Sequence, residues 1–141
     1  MKVKSVSTFL AIVIGIFVVI FLSHNQTTSS AEEVTNMSAK ETSKLINQNK
    51  GDKDIVVLDI RTPGEFAAGH IENAVNIDYF SQNFQSQLDQ LDKSKNYVMH
   101  CKSGGRSGRS VSIFKELNFK NLIHMNGGFD EWAQSGLPIV K

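Results

Sequence analysis

Short apolar runs alternate with amphipathic stretches along the chain from about residue 34 onward. Five runs have the length and composition of strands, at residues 33–35, 55–58, 74–77, 97–100 and 122–125. Helical spacings of apolar residues follow the last three runs, at residues 84–91, 108–117 and 129–133. The run at 55–58 is apolar at every position, as in a parallel strand covered on both faces. Strands that alternate with helices predict an α/β domain with a mostly parallel sheet.

Local signals mark where two further helices begin. Ser38 precedes Glu41 by three residues, which predicts a capping box and a helix that ends near residues 49–51. Thr62 and Pro63 open a second, shorter helical stretch that Gly69 ends.

The first 31 residues differ from this pattern. Lys2 and Lys4 precede an unbroken apolar run at residues 9–22, and a polar stretch follows at 23–30. This layout predicts a signal peptide or a signal-anchor helix. The apolar segment is near the lower length limit for a membrane span. Small residues at 29–31 suit cleavage by a signal peptidase, but they lie far from the end of the apolar segment. Both alternatives therefore stay open. The basic residues on its N-terminal side place the following domain outside the cytoplasm, in the cell envelope.

Two domains are therefore expected: residues 1–31 as leader and tether, and residues 34–141 as the folded domain. The chain has 15 basic and 14 acidic residues, and without Lys2 and Lys4 it is nearly neutral, which argues against a nucleic-acid partner. Its single cysteine excludes an internal disulfide, and an unpaired cysteine in an oxidising compartment suggests use. The four histidines lack metal-ligand spacing, so neither a metal nor another cofactor is expected.

The candidate chemistry lies at residues 100–110, between a predicted strand and a helix. Cys101 follows the strand, and two glycines allow the backbone N–H groups of the turn to point inward. The positive end of the next helix faces the same point, and Lys102 and Arg106 add charge. These features favour the thiolate, so Cys101 is predicted to be a reactive sulfur beside an anion pocket. Asp59 also follows a strand, at the sheet edge where parallel sheets bind ligands.

Three segments together resemble a known family. Residues 59–77 look like the signature D-x-R-x-x-x-E-[FY]-x-x-G-H-I-x-x-A-x-N of rhodanese domains. Residues 101–107 resemble their active-site loop, C-x-x-G-x-R-S, and residues 125–132 their closing G-G-x-x-x-W element. The order and spacing agree with the family, and the resemblance covers roughly residues 34–141.

The resemblance implies a three-layer α/β fold with a five-stranded sheet and sulfurtransferase activity. Cys101 would take sulfane sulfur from an anionic donor such as thiosulfate and hold it as a persulfide. Cyanide, a small thiol or a partner protein would be the acceptor. The donor would be bound by the loop residues Lys102, Ser103, Gly104, Gly105 and Arg106. Only four residues separate Cys101 from Arg106, whereas tyrosine phosphatases have five, so phosphatase activity is not expected. A persulfide carrier and a partner-binding module are the alternatives.

Several residues near the loop have more than one interpretation. Asp59 and Arg61 are predicted to form a supporting ion pair rather than to transfer protons. Arg106 either holds loop carbonyls or contacts the donor. His100 is a candidate for lowering the pKa of Cys101. Structural roles are expected for the rest: His70 in a hydrogen bond, Arg109 on a solvated helix face, and Phe129 and Trp132 in packing.

Overall fold

The computed structural model describes residues 34–141. The predicted leader lies outside the described residues, so its cleavage or retention stays a prediction. Among the helices within 34–141, none combines the length and apolar character needed to cross a bilayer.

Five strands and five helices alternate along the described part of the chain. The strands are β1 (Val34–Met37), β2 (Ile55–Asp59), β3 (Val75–Asn76), β4 (Asn96–His100) and β5 (Asn121–Met125). The helices are α1 (Ala39–Gln48), α2 (Pro63–Ala68), α3 (Phe84–Asp89), α4 (Gly105–Glu116) and α5 (Gly128–Gln134). The strands form one sheet in the order β1-β5-β4-β2-β3, and each neighbouring pair is parallel. The predicted α/β fold with a five-stranded sheet is confirmed.

The register brings the ends of the central strands to one edge of the sheet. Asp59 at the end of β2 pairs with His100 at the end of β4, and Met99 pairs with His124 of β5. Cys101 directly follows β4, the central strand, so it lies at the carboxyl edge between two neighbours. This is the edge at which parallel sheets place their ligands.

Two apolar clusters cover the two faces of the sheet. Successive residues of a strand point to opposite faces, so Leu58 and Met99 pack toward α3 and α4, and Val57 and Val98 pack toward α1 and α5. Cys101 belongs to the first cluster. Together the helices and the sheet form three layers, as the resemblance implied.

Most helix starts match their sequence signals. The predicted capping box forms, since the Ser38 hydroxyl accepts from the Glu41 N–H and Glu41 accepts from the backbone N–H of Ser38. The structure adds a second capping box, with Thr62 and Glu65 in the same arrangement. The prediction that α4 begins at residue 108 is wrong, because the helix begins at Gly105. Its first turn lacks apolar residues, so hydrophobic periodicity cannot detect it.

Candidate active site

The loop after β4 turns sharply at Gly104, the N-cap residue of α4. Gly104 has φ +86°, a left-handed conformation, and a Cβ at this position would lie 1.9 Å from the Asn126 carbonyl oxygen. Only glycine satisfies both conditions. The turn directs the first N–H groups of α4 toward Cys101, as the glycine pattern predicted.

The Cys101 sulfur lies at the bottom of this loop and receives several hydrogen bonds. The backbone N–H groups of Ser103, Arg106 and Ser107 donate to Sγ, and the Ser107 hydroxyl lies 3.4 Å from it. Burial by itself raises the pKa of the Cys101 thiol, but these hydrogen bonds outweigh it and hold the pKa below its ordinary value of 9.0. The residue is only 1% exposed, so the sulfur lies below the protein surface.

The segment before α5 holds the loop from behind. The Phe129 N–H donates to the Cys101 carbonyl at 2.8 Å, and the Asp130 N–H donates to the Lys102 carbonyl at 2.8 Å. Gly128 has φ +65°, and a Cβ there would lie 2.5 Å from the Lys102 carbonyl oxygen. The closing G-G element is therefore part of the structural support of the nucleophile loop.

Both cations of the loop are paired with carboxylates. Lys102 Nζ lies 2.8 Å from Asp130 Oδ2, and its side chain is 58% exposed. Arg106 binds Glu65 through two bonds, of 2.7 and 2.8 Å. The side-chain hydrogen bonds of Arg106 go to Glu65 rather than to loop carbonyls, and its contact with the donor stays a prediction. The Glu65 carboxylate, and then the Cys101 thiolate, raise the pKa of Arg106.

Asp59 and Arg61 form the predicted ion pair, and both are buried. Arg61 Nη2 lies 2.6 Å from Asp59 Oδ2 and donates to the Gly69 carbonyl at 2.7 Å. The guanidinium also stacks on the Phe129 ring, with Cζ 3.8 Å from the ring centroid. Since Phe129 in turn bonds the Cys101 carbonyl, this pair supports the loop indirectly.

His100 lies on the opposite face of the sheet from the Cys101 sulfur. Its Nδ1 lies 3.2 Å from the Cys101 carbonyl, its Nε2 faces Asp59 at 3.8 Å, and its ring stacks on Phe129. Burial lowers the pKa of His100, so the ring is neutral. The prediction that His100 lowers the pKa of Cys101 is therefore wrong, since strand alternation turns its side chain away from the sulfur.

The remaining structural expectations agree with the structure. His70 Nδ1 bonds the Phe66 carbonyl at 3.1 Å, and the Trp132 indole N–H donates to the Pro138 carbonyl at 2.8 Å. Arg109 is exposed on α4.

Three residues to which the sequence assigned no role form a chain of hydrogen bonds that ends at Cys101. Ser107 Oγ lies 2.8 Å from His124 Nε2, and His124 Nδ1 lies 3.1 Å from Asn36 Oδ1. Ser107 belongs to the loop motif, and the period of two along β5 places His124 on the same face as Leu122. Asn36 could not be found this way, because nothing in the sequence pairs β1 with β5.

A cavity of about 400 Å³ lies away from Cys101, beside the amino end of β2. The end of α1, the loop after it, Ile55 and Trp132 line it. The carboxyl-edge loop, and not this cavity, holds the nucleophile.

Comparison with known proteins agrees with this geometry. An uncharacterised Synechocystis protein is 34% identical over 98 residues, covering 70% of this chain and 54% of its own length. A tRNA uridine(34) hydroxylase of Yersinia enterocolitica is 35% identical over 102 residues, covering 67% of this chain and 29% of its own length. The chain thus spans about half or less of these curated relatives.

Solved structures share the fold. A rhodanese-related protein from Thermoplasma volcanium matches with a TM-score of 0.62 and 27% identity, covering 75% of this chain and 97% of its own. A thiosulfate sulfurtransferase from Pseudomonas aeruginosa matches with a TM-score of 0.61 and 23% identity, covering 77% of this chain and 20% of its own, which shows the fold alone. The family model for the rhodanese-like domain matches residues 38–135. The chain therefore belongs to the rhodanese-like domain family.

Proposed function

We propose that the protein is a sulfurtransferase that carries sulfane sulfur as a persulfide on Cys101. The observation that carries this proposal is the ring of hydrogen-bond donors around Sγ, three of them backbone N–H groups and one the Ser107 hydroxyl. These donors favour the thiolate, which is the attacking species in sulfur transfer. Family membership supports the same activity.

The reaction consists of two displacements at sulfur. The Cys101 thiolate attacks the outer sulfur of thiosulfate, the S–S bond of the donor breaks, and sulfite leaves with the electron pair. A nucleophile such as cyanide then attacks the terminal sulfur, the new S–S bond breaks, and the thiolate is restored. The persulfide carries a negative charge that the same N–H groups stabilise, and such fixed donors act without reorganisation. Covalent catalysis of this kind predicts ping-pong kinetics.

The backbone, rather than free cations, provides the attraction for an anionic donor. Lys102 and Arg106 are each paired with a carboxylate, so the loop carries little net charge from its side chains. Donor binding then rests on Ser103, Gly104 and Gly105 and on the amino end of α4. Salt concentration should consequently have a modest effect on KM for thiosulfate.

Thiosulfate:cyanide sulfur transfer by the purified protein tests the proposal, with Cys101→Ser as the matched variant. We expect turnover in the wild type and none in the variant. The mass of the intact wild-type protein should also increase by one sulfur after exposure to thiosulfate. Absence of both turnover and the mass increase would refute sulfurtransferase function.

A persulfide carrier is the second candidate, and one surface feature favours it. Phe80 is 67% exposed, and its ring lies next to the Arg106 guanidinium, 5.6 Å from ring centroid to Cζ. An exposed aromatic ring at the rim of the loop suits contact with a protein acceptor. A sulfur mass increase with little cyanide turnover would indicate this role.

We also propose that the domain acts outside the cytoplasm. The basic and then apolar start of the sequence supports export, and membrane attachment would follow if the segment is retained. Fractionation of cells that express the full chain, with the mass of the isolated protein, tests both export and cleavage. Intact protein in the cytoplasmic fraction would overturn this proposal.

A further inference from the structure

The hydrogen-bond chain behind Cys101 joins four side chains from three strands or strand ends and one helix. It runs from Cys101 Sγ to Ser107 Oγ at 3.4 Å, from Ser107 Oγ to His124 Nε2 at 2.8 Å, and from His124 Nδ1 to Asn36 Oδ1 at 3.1 Å. Ser107 is fully buried and His124 is nearly so. The titratable side chain of His124 is therefore connected to the sulfur through a single intermediate, the Ser107 hydroxyl.

The chain has a defined direction. Asn36 presents its carbonyl oxygen to Nδ1, so Nδ1 carries a proton and the neutral ring presents a lone pair at Nε2. The Ser107 hydroxyl has a single proton. When this proton goes to Nε2, Ser107 offers Cys101 a lone pair, which accepts from the thiol S–H.

We propose that His124 is the proton acceptor for Cys101 and acts through Ser107, with Asn36 as its positioning residue. The S–H proton passes to Ser107 Oγ while the Ser107 proton passes to His124 Nε2. No other bond changes. The products are a thiolate that accepts from the Ser107 hydroxyl, and an imidazolium that donates to Ser107 Oγ and to Asn36 Oδ1.

The surroundings of His124 suit a neutral base. Burial lowers the pKa of His124 and the nearby Gly104 carbonyl opposes that effect, so the resting ring is neutral and has a lone pair free to accept a proton. The Gly104 carbonyl, 3.1 Å from Ser107 Oγ, is a second acceptor for the hydroxyl proton. It stabilises the imidazolium as well.

Few charges on neighbouring elements face this ring. β1 has no titratable residue in its described span, and the β4 residue opposite His124 is Met99. On α4, which packs over the ring, the nearby charged groups are Arg106, which is tied to Glu65, and Arg109, which is exposed. Cys101 is therefore the group whose ionisation His124 should sense.

The pH dependence of Cys101 alkylation by iodoacetamide, a small neutral reagent, tests the relay. In the wild type we expect two ionisation steps in the alkylation rate as the pH rises. The lower step arises because the thiolate–imidazolium pair already reacts below the pKa of the thiol itself. In His124→Gln, which keeps a hydrogen-bonding group but accepts no proton, the lower step should disappear. The rate near pH 6.5 should fall by about threefold or more, which is about half a pKa unit. At high pH, where the thiolate is complete, the two rates should converge.

Convergence separates a proton relay from a structural role, because a misplaced sulfur would react more slowly at every pH. Ser107→Ala should also lose the lower step, and the double variant Ser107→Ala/His124→Gln should match Ser107→Ala alone. His70→Gln, which alters a histidine bonded away from the site, should retain both steps. A one-step wild-type profile, or additive effects in the double variant, would overturn the relay.

A measurement on the wild type covers the case in which the variants do not fold. The ¹⁵N resonance of His124 Nε2 should gain protonated character in the pH range where Cys101 ionises, and Cys101→Ala should remove this step. A His124 titration that is unaffected by Cys101→Ala would contradict the proposal. The relay deepens the proposed function, but neither test uses a sulfur donor, so loss of sulfur transfer and loss of the relay are separate results.

Discussion

Replacing Glu65 with glutamine should destabilise the fold in a pH-dependent manner. Glu65 joins the start of α2 to Arg106 in the nucleophile loop, 41 residues away along the chain. Glutamine retains an oxygen that caps Thr62, as in other capping boxes. The substitution therefore removes mainly the charge that pairs with Arg106.

The size of the effect follows from the pKa of Glu65. The hydrogen bonds from Arg106 are the largest influence and hold this pKa at about 2, against an ordinary 4.5. A shift of roughly 2.5 units corresponds to about 3 kcal/mol at full strength. The Glu65 side chain is 27% exposed, so solvent screens the pair and we expect a loss of about 1–2 kcal/mol at pH 7.

The sign of the pH dependence is fixed by the lowered pKa. The unfolded chain takes up the Glu65 proton near pH 4.5 and the folded protein only near 2, so the stabilisation is present above 4.5 and is lost as the pH falls toward 2. Urea denaturation of wild type and Glu65→Gln at pH 7 and pH 3.5 measures the unfolding free energy that the variant loses at each pH. The exposed Glu72→Gln is the matched control. The reasoning would be refuted if wild type and Glu65→Gln differed in unfolding free energy by the same amount at both pH values. A Glu65→Gln loss no larger than that of the control would refute it as well.

Three further substitutions test other parts of the site. Gly104→Ala should cost at least about 2 kcal/mol of unfolding free energy, because φ is strained and the new Cβ meets the Asn126 carbonyl. Gly64→Ala is the control and should be neutral or stabilising, since nothing lies within 4 Å of its Cβ. Equal costs of the two substitutions in urea denaturation would contradict this. Asp59→Ala leaves Arg61 buried without its partner and should cost about 3–5 kcal/mol of unfolding free energy in the same assay. A loss under about 1 kcal/mol would disprove the supporting role of the pair. Lys102→Ala removes an exposed ion pair and should change the free energy of unfolding by less than about 1 kcal/mol. The rate of Cys101 alkylation at pH 7 should stay unchanged. Slower alkylation would show that Lys102 acts on the thiol.

The fold could be predicted closely because its signals are local. Apolar runs, capping boxes and the glycine that ends α2 each act within a few residues. The same holds for the position of Cys101 at a strand end. The run at 74–77 predicted β3 but not that it has only two residues, and the start of α4 at Gly105 was missed because its first turn has no apolar repeat.

The charges and partners within the site could not be predicted, since they depend on contacts between distant segments. Glu65 neutralises Arg106 and Asp130 neutralises Lys102, across 41 and 28 positions. His124 reaches the sulfur only because α4 packs over β5. His100, next to Cys101 in sequence, faces the opposite side of the sheet. Chain proximity was therefore a poor guide to which groups act on the thiol.

The contact between Gly104 and Asn126 also restricts how the loop could evolve. A phosphate-sized loop needs one more residue between Cys101 and Arg106, and the turn is already against the Asn126 carbonyl on one side and next to Gly128 on the other. An insertion would have to be accompanied by changes in the closing segment. A change from sulfur to phosphate chemistry in this chain would thus require alterations in the nucleophile loop and in the closing segment together.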